Sequence, residues 1–155
     1  QKVYGVELSA DARILPNLKA GANFSWFEGK LKSSTGKWDT YMSNISIPAA
    51  KLGMYVNYSP IENTYLQLQY VHTGKRNRFA PNASGVYNEG EGVVKRINLL
   101  NLMAGVKVKS WDFSLAVSNL LNYTYYTPAS MLMARNAEYA HADGRNITLT
   151  VGFRY

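Results

Sequence analysis

The chain has 155 residues, a formal net charge of +7 and no cysteine. That length suits one domain. The missing thiols exclude a disulfide framework and a thiolate metal site, and no apolar run approaches the ~18 residues a membrane-spanning helix needs. Charged residues make up 17% and aromatics 13%, with 12 tyrosines; soluble domains usually carry roughly 25% charge.

Taken in chain order, the sequence repeats one pattern, apolar at every second position. Residues 2–14 put Tyr4, Val6, Leu8, Ala10, Ala12 and Ile14 on one face and Gly5, Glu7, Ser9, Asp11 and Arg13 on the other. Residues 18–30 set Leu18, Ala20, Ala22, Phe24 and Trp26 against Lys19, Gly21, Asn23 and Ser25. Residues 51–58 set Leu52, Met54, Val56 and Tyr58 against Gly53, Tyr55 and Asn57; residues 65–73 set Leu66, Leu68 and Tyr70 against Gln67, Gln69 and Thr73. Residues 100–109 set Leu100, Leu102, Ala104, Val106 and Val108 against Asn101, Gly105, Lys107 and Lys109. Residues 111–120 set Trp111, Phe113, Leu115 and Val117 against Asp112, Ser114, Ala116 and Ser118. The final segment alternates Ile147, Leu149, Val151, Phe153 and Tyr155 with Thr148, Thr150, Gly152 and Arg154.

A period of two is a strand. Strands of this length, apolar along one whole face, suit a wall with lipid on one side and water on the other, since crossing a bilayer takes about 9–11 tilted residues. The connections support this. Short turns at 15–17, 59–63 and 109–110 alternate with long loops at about 31–47, 74–97 and 121–144, the layout of an outer-membrane barrel with its short turns periplasmic. Aromatics agree again: Tyr58, Trp111, Phe153 and Tyr155 fall at the periplasmic ends of the lipid face, and Tyr4, Trp26 and Tyr70 near the extracellular ends. Two aromatic girdles around an aliphatic band match the two membrane interfaces.

The expected fold is therefore all-β: a transmembrane antiparallel up-and-down barrel, of which these are about seven strands. Single-chain bacterial barrels have even strand counts, and an open edge leaves backbone groups unpaired in hydrocarbon. The odd count predicts further strands on the amino-terminal side. A start at Gln1 with no signal-peptide pattern agrees with a processed or internal piece. Inward-facing glycines mixed with polar residues suit a wide interior holding water or a polar plug.

Three stretches carry a family resemblance: Tyr4-Gly-Val-Glu-Leu8 opening a strand, Val117-Ser-Asn-Leu-Leu-Asn-Tyr-Thr-Tyr-Tyr126, and Gly144-Arg-Asn-Ile-Thr-Leu149 running into Phe153-Arg-Tyr155. In this order they resemble the carboxyl-terminal part of a TonB-dependent outer-membrane receptor of the ferric-siderophore type. The family usually ends in Phe, where this chain has Tyr155. The resemblance implies a barrel of about 22 strands around an amino-terminal plug, of which residues 1–155 supply the last seven, with neither plug nor TonB-binding segment among them. It implies active transport of an iron chelate energised through TonB, partners in outer-membrane lipid, lipopolysaccharide and the barrel-assembly machinery, and Phe153 with Tyr155 as the assembly signal. No cofactor is implied.

No catalytic constellation stands out, so an enzyme is not expected. His72 and His141 have no second ligand set at metal spacing, and a solvated loop histidine is the simpler reading of His141-Ala-Asp143. Inward-facing Glu7, Asp11 and Arg13 suit charge pairing to a plug or to neighbouring strands. The scattered cations do not form a nucleic-acid footprint. The densest group, Lys75, Arg76 and Arg78, stands where a strand meets its extracellular loop, with Lys95 and Arg96 at that loop's return. It suits either lipopolysaccharide phosphates and solvent, or attraction of an anionic chelate into the mouth. Ligand contacts are expected from the long loops: Trp38, Tyr41, Tyr126, Arg135 and Tyr139, with Lys75, Arg76 and Arg78. The pair Met131 and Met133 suits loop packing better than a soft-metal site. The alternative from another class is a small autonomous outer-membrane barrel with a structural or adhesive role, which would need an eighth strand.

Overall fold

The computed structural model describes residues 1–133 and 139–155. Eight strands form one antiparallel sheet: β1 (Lys2–Leu15), β2 (Leu18–Leu31), β3 (Thr40–Tyr41), β4 (Lys51–Tyr58), β5 (Thr64–Thr73), β6 (Ile97–Val108), β7 (Trp111–Ser118) and β8 (Asn146–Phe153). Seven long strands lie side by side in sequence order, and β3 pairs with the top of β2. One helix, α1 (Pro128–Met133), lies in the last long connection. The seven expected strands are all present. The fifth begins at Ile97, three residues before expectation. Neither β3 nor α1 was expected, because two residues are too few to show a period and α1 has less than two turns.

Pairing register carries the sequence pattern across the sheet. Val6 faces Trp26, Ala20 faces Val56, Met54 faces Tyr70, Leu68 faces Leu102, Ala104 faces Leu115 and Leu115 faces Leu149. Directly opposed residues in an antiparallel pair point to the same side, so the apolar residues of all seven strands make one continuous face. The other face pairs Ser9 with Asn23, Tyr55 with Gln69, Gln69 with Asn101 and Ser114 with Thr150. A one-residue slip would invert a strand, and none occurs within the long paired stretches above the first short turn. The single register shift, between Arg13 and Leu15, lies beside the first short turn.

That turn, Pro16-Asn17, is tied to the next by a hydrogen bond from the Ser59 N–H to the Asn17 carbonyl of 2.9 Å. The β6–β7 connection has only two residues, and Lys109 takes a φ of 54°. At the girdle beneath it, Trp111 packs on Phe153 with ring centroids 4.8 Å apart. On the inner face the Tyr55 ring crosses Gly21 and its hydroxyl donates to Asp11. A Cβ at Gly21 would fall 2.6 Å from that ring, so the tyrosine lies flat because the glycine is bare.

A single-layer wall has no interior between layers. Every residue of β1 is exposed, and the large apolar side chains on the outer face remain open, Leu149 at 69% and Leu8 at 62%. The buried hydrophobic residues Met42, Ile47, Ala49, Val94, Ile97, Val117 and Met131 lie instead among the long connections and the strand ends that meet them. The free edges of β1 and β8 have no partner strand among the described residues.

Replacing Leu115 or Leu149 with Arg is expected to lower folding stability in a bilayer by about 2–4 kcal/mol, and Thr148→Arg by less, because only the first two meet mid-bilayer lipid. Reversible unfolding of the full-length protein in lipid vesicles measures this; equal costs at 148 and 149 would contradict the facing.

Candidate functional site

All three long connections stand at one end of the sheet, and unequal strand lengths shape what they build there. β4 begins at Lys51, paired with Ser25 on one side and Thr73 on the other. Past that level β2 and the continuation of β5 are left two strand spacings apart, roughly 9.5 Å, too wide for backbone pairing. Long side chains fill the gap. Glu28 and Arg76 each lie three residues beyond the last pair made with β4, and Arg76 Nη2 donates to Glu28 Oε1 at 2.7 Å. Arg78 makes a second ion pair with Glu28 Oε2 at 3.0 Å. Arg76 Nε donates to Asn44 Oδ1 at 2.8 Å, and Asn44 Nδ2 donates to the Gly92 carbonyl at 2.6 Å. Glu28, Asn44 and Arg76 are all buried.

Glu28 lies beyond Trp26 of the aromatic girdle, outside the apolar band. Burial pushes its carboxyl up, but the Arg76 hydrogen bond, the Gly29 N–H and the charges of both arginines outweigh that and hold it below the ordinary carboxylate range. The stabilisation it gives is therefore in force above the ordinary carboxylate pKa and is lost only as pH falls through the lowered value.

The return of the second long connection is the common partner of the other two. Its Gly90 carbonyl accepts from the Asn44 N–H at 2.8 Å, and Val94 and Arg76 exchange backbone hydrogen bonds of 2.9 and 3.0 Å. Next along, the Lys95 N–H donates to the sulfur of Met131, which is completely buried. Met131 is presented by α1, whose first turn is capped by the Thr127 hydroxyl accepting from the Ser130 N–H at 3.1 Å. With Ala49, Val94 and Ile97 it forms a small core over which Tyr125, Tyr126, Leu132 and Tyr139 pack.

On that core sits an aromatic bowl. The Lys95 ammonium lies 5.1 Å from the Tyr126 ring centroid and 4.8 Å from that of Tyr139, and the two rings meet edge-on at 5.2 Å. His141 tilts against Tyr126 at 4.6 Å. The chain reaches the bowl through two asparagines with left-handed backbone, Asn119 and Asn122, both at φ 51°. Asn119 brackets Tyr123 with hydrogen bonds to its N–H and carbonyl, and Asn122 Oδ1 accepts from the Arg145 N–H at 3.0 Å. Asparagine tolerates that conformation and closes its own turn, a physical account of the Ser-Asn-Leu-Leu-Asn-Tyr segment.

The sequence-derived residues fall into separate places. Tyr126 and Tyr139 share the bowl with Lys95, which the sequence reading had placed beside Lys75, Arg76 and Arg78. Tyr41 joins Arg78 and Lys30, their cations 5.1 and 4.3 Å from its ring centroid. Lys75 is exposed, and Trp38 is 44% exposed in the first long connection. Arg76, expected as an open cation, is 5% exposed and bound to Glu28; its charge is internally matched. Arg135 lies outside the described residues. Met131 is packing, whereas Met133 is 80% exposed. Glu7, Asp11 and Arg13 lie on the inner face, and of these Asp11 has the Tyr55 hydroxyl as partner. Phe153 packs on Trp111, and Tyr155 is fully exposed beyond β8. The sequence reading missed Glu28 and Asn44. Glu28 had left a signal, since it follows Trp26 by two and puts a carboxylate on the lipid-facing parity, which only a buried partner above the membrane can support.

An antiparallel wall of long strands, apolar outside and polar inside, with girdles at both rims and loops gathered at one end, is that of an outer-membrane barrel. Residues 1–120 match the family described as TonB dependent receptor-like, beta-barrel, and the chain belongs to that family, one of receptors rather than enzymes. Among solved structures it is similar to the copper transporter OprC (19% identity, TM-score 0.75, 99% of this chain and 24% of that one). It is also similar to the ferric-catecholate import receptor Fiu of E. coli K12 in its open form (18%, 0.71, 97% and 20%). A third is a mutant of the ferric enterobactin receptor PfeA of Pseudomonas aeruginosa (15%, 0.68, 97% and 22%). At these identities the likeness is one of fold, and the chain spans between a fifth and a quarter of each.

Glu28→Gln is expected to loosen the second long connection, since removing one partner of a buried ion pair costs about 3–5 kcal/mol. Arg78→Gln, whose side chain is 40% exposed, should cost no more than about 1 kcal/mol. Protease nicking within 74–96 on intact cells reads the difference; equal nicking in both variants would contradict the keystone role of Glu28.

Proposed function

We propose that the chain forms the carboxyl-terminal wall and loops of a larger plugged barrel, of about 22 strands, and that the whole receptor imports an iron chelate with energy delivered through TonB. The observation that carries this reading is the open sheet: a lipid-facing wall whose two edges are unpaired among the described residues needs further strands, because hydrocarbon offers no partner to exposed backbone groups. Family membership and the named cargo of Fiu and PfeA support a ferric chelate, and the bowl supplies suitable chemistry. Lys95 held between Tyr126 and Tyr139 offers a cation and two ring faces to an anionic aromatic ligand. Trp38, Tyr41, Lys75 and Arg78 stay candidates for further ligand contact, as does Arg135 beyond the described residues, while Arg76 acts by holding the second long connection in place. Glu7, Asp11 and Arg13 would meet a plug, and Phe153 with Tyr155 would serve recognition by the assembly machinery.

Two measurements test the proposal. The native polypeptide should have a mass several times the 17.3 kDa of these residues; a mature product near that mass would overturn it. Lys95→Gln combined with Tyr126→Ala should reduce ferric-catecholate uptake under iron limitation about tenfold, the loss of roughly 1.4 kcal/mol of binding. Unchanged uptake in the double variant would remove the bowl from the ligand path.

A further inference from the structure

The two limbs of the third long connection run side by side before they separate. Tyr126 opposes His141, and the Ala142 N–H donates to the Tyr125 carbonyl at 2.9 Å. The next opposed pair in such a ribbon is Thr127 with Ala140, which would exchange both backbone hydrogen bonds. Beyond it stands Pro128, which has no N–H to offer a ladder. The chain turns into α1 instead. Thr127 caps the helix, its hydroxyl accepting from the Ser130 N–H, and its carbonyl accepts from the Met131 N–H at 3.1 Å. The carbonyl that a ribbon would have aimed at the Ala140 N–H is therefore taken by the helix.

Ser130 supplies the replacement. Its hydroxyl accepts from the Ala140 N–H at 2.9 Å and donates to the Ala140 carbonyl at 3.2 Å. One side chain thus serves both backbone groups of the residue between Tyr139 and His141, whose rings lean on Tyr126 at 5.2 and 4.6 Å. The next residue, Met131, reaches the other way: it is fully buried, and its sulfur accepts from the Lys95 N–H. Adjacent residues of one short helix hold the two halves of the bowl, Ser130 the return limb and Met131 the second long connection. Both grips are on main-chain groups, so neither consumes a ring face or the Lys95 ammonium.

We propose that Ser130 is the positioning residue of the bowl. By clipping Ala140 to α1 it sets Tyr139 and His141 against Tyr126, and by holding α1 in place it keeps Met131 under Lys95. Ligand affinity then depends on a hydroxyl bonded to Ala140 rather than to the ligand, because loops already ordered cost less to fix on binding. A ligand filling the bowl stabilises α1 by the same factor, since such coupling is reciprocal. The affinity claim rests on the reading of the bowl as a site for an anionic aromatic chelate; the coupling between the two connections does not.

The test uses the full-length receptor in detergent, read by backbone amide exchange and by binding of a ferric catecholate. Ser130→Ala should speed exchange about tenfold at Ala140, its direct partner, and also at Lys95 on the other connection. It should weaken chelate binding about tenfold, and Ser130→Thr, which keeps the hydroxyl, should restore both. Thr35→Ala, which removes an exposed hydroxyl contact in the first long connection, should change neither. Unchanged exchange at Lys95 in Ser130→Ala overturns the proposal whether or not the chelate binds, and so does Ser130→Thr behaving like Ser130→Ala. Faster exchange with chelate binding equal to the parent's overturns the positioning role. A chelate bound equally by the parent and by the Lys95→Gln, Tyr126→Ala double variant would instead defeat the reading of the bowl as the ligand site and the affinity claim with it, while exchange at Lys95 still decides the coupling.

Discussion

Backbone N–H and C=O groups cannot be left unpaired in hydrocarbon, and most of this structure follows from that. Each such group in the bilayer must find a neighbouring strand, so the chain crosses as long antiparallel strands with two-sided alternation and no second layer behind them. The outer face takes apolar side chains because lipid is there, and the inner face polar ones because water or polar protein is. What would be a core in a soluble domain is displaced to the extracellular rim, where Met131, Val94, Ile97 and Ala49 pack between connections.

Where the bilayer ends, the constraint relaxes and the strands stop at different heights. β4 has 8 residues while β2 has 14, and the difference opens a gap in the wall just above the membrane. Side chains close it. Glu28 collects two arginines, Arg76 collects Asn44, and Asn44 collects the Gly92 carbonyl, so one buried carboxylate fixes the spacing of two connections. The third is locked to the second through Met131. The bowl of Lys95, Tyr126 and Tyr139 is thus held by packing from below, and a ligand arriving there would meet a surface already ordered.

The parts of this arrangement that repeat locally were legible in the sequence. Period-two alternation, girdle aromatics and the sorting of short and long connections place the seven long strands and their faces, because each depends only on neighbouring residues and on bilayer thickness. The rim was read less well. Arg76 looked like an open cation because its partner Glu28 is 48 residues away and the gap they bridge depends on three strand lengths at once. Lys95 was set beside Lys75, Arg76 and Arg78, yet its side chain turns to Tyr126 and Tyr139, a choice made by how α1 packs. The outward position of Lys30 was in principle readable, two steps beyond Glu28 on the parity of Trp26. Its pairing with Lys2 and Tyr41 required the register.

The facing of the wall is the claim on which the rest of the account stands. The most direct measurement is single-cysteine scanning of residues 146–153 in the full-length receptor reconstituted in lipid, with a spin label at each position and a lipid-soluble relaxer; this chain contributes no thiol background. The account predicts a period of two, high accessibility to the relaxer at 147, 149, 151 and 153 and low at 146, 148, 150 and 152. A flat profile, or one with the opposite phase, would contradict it.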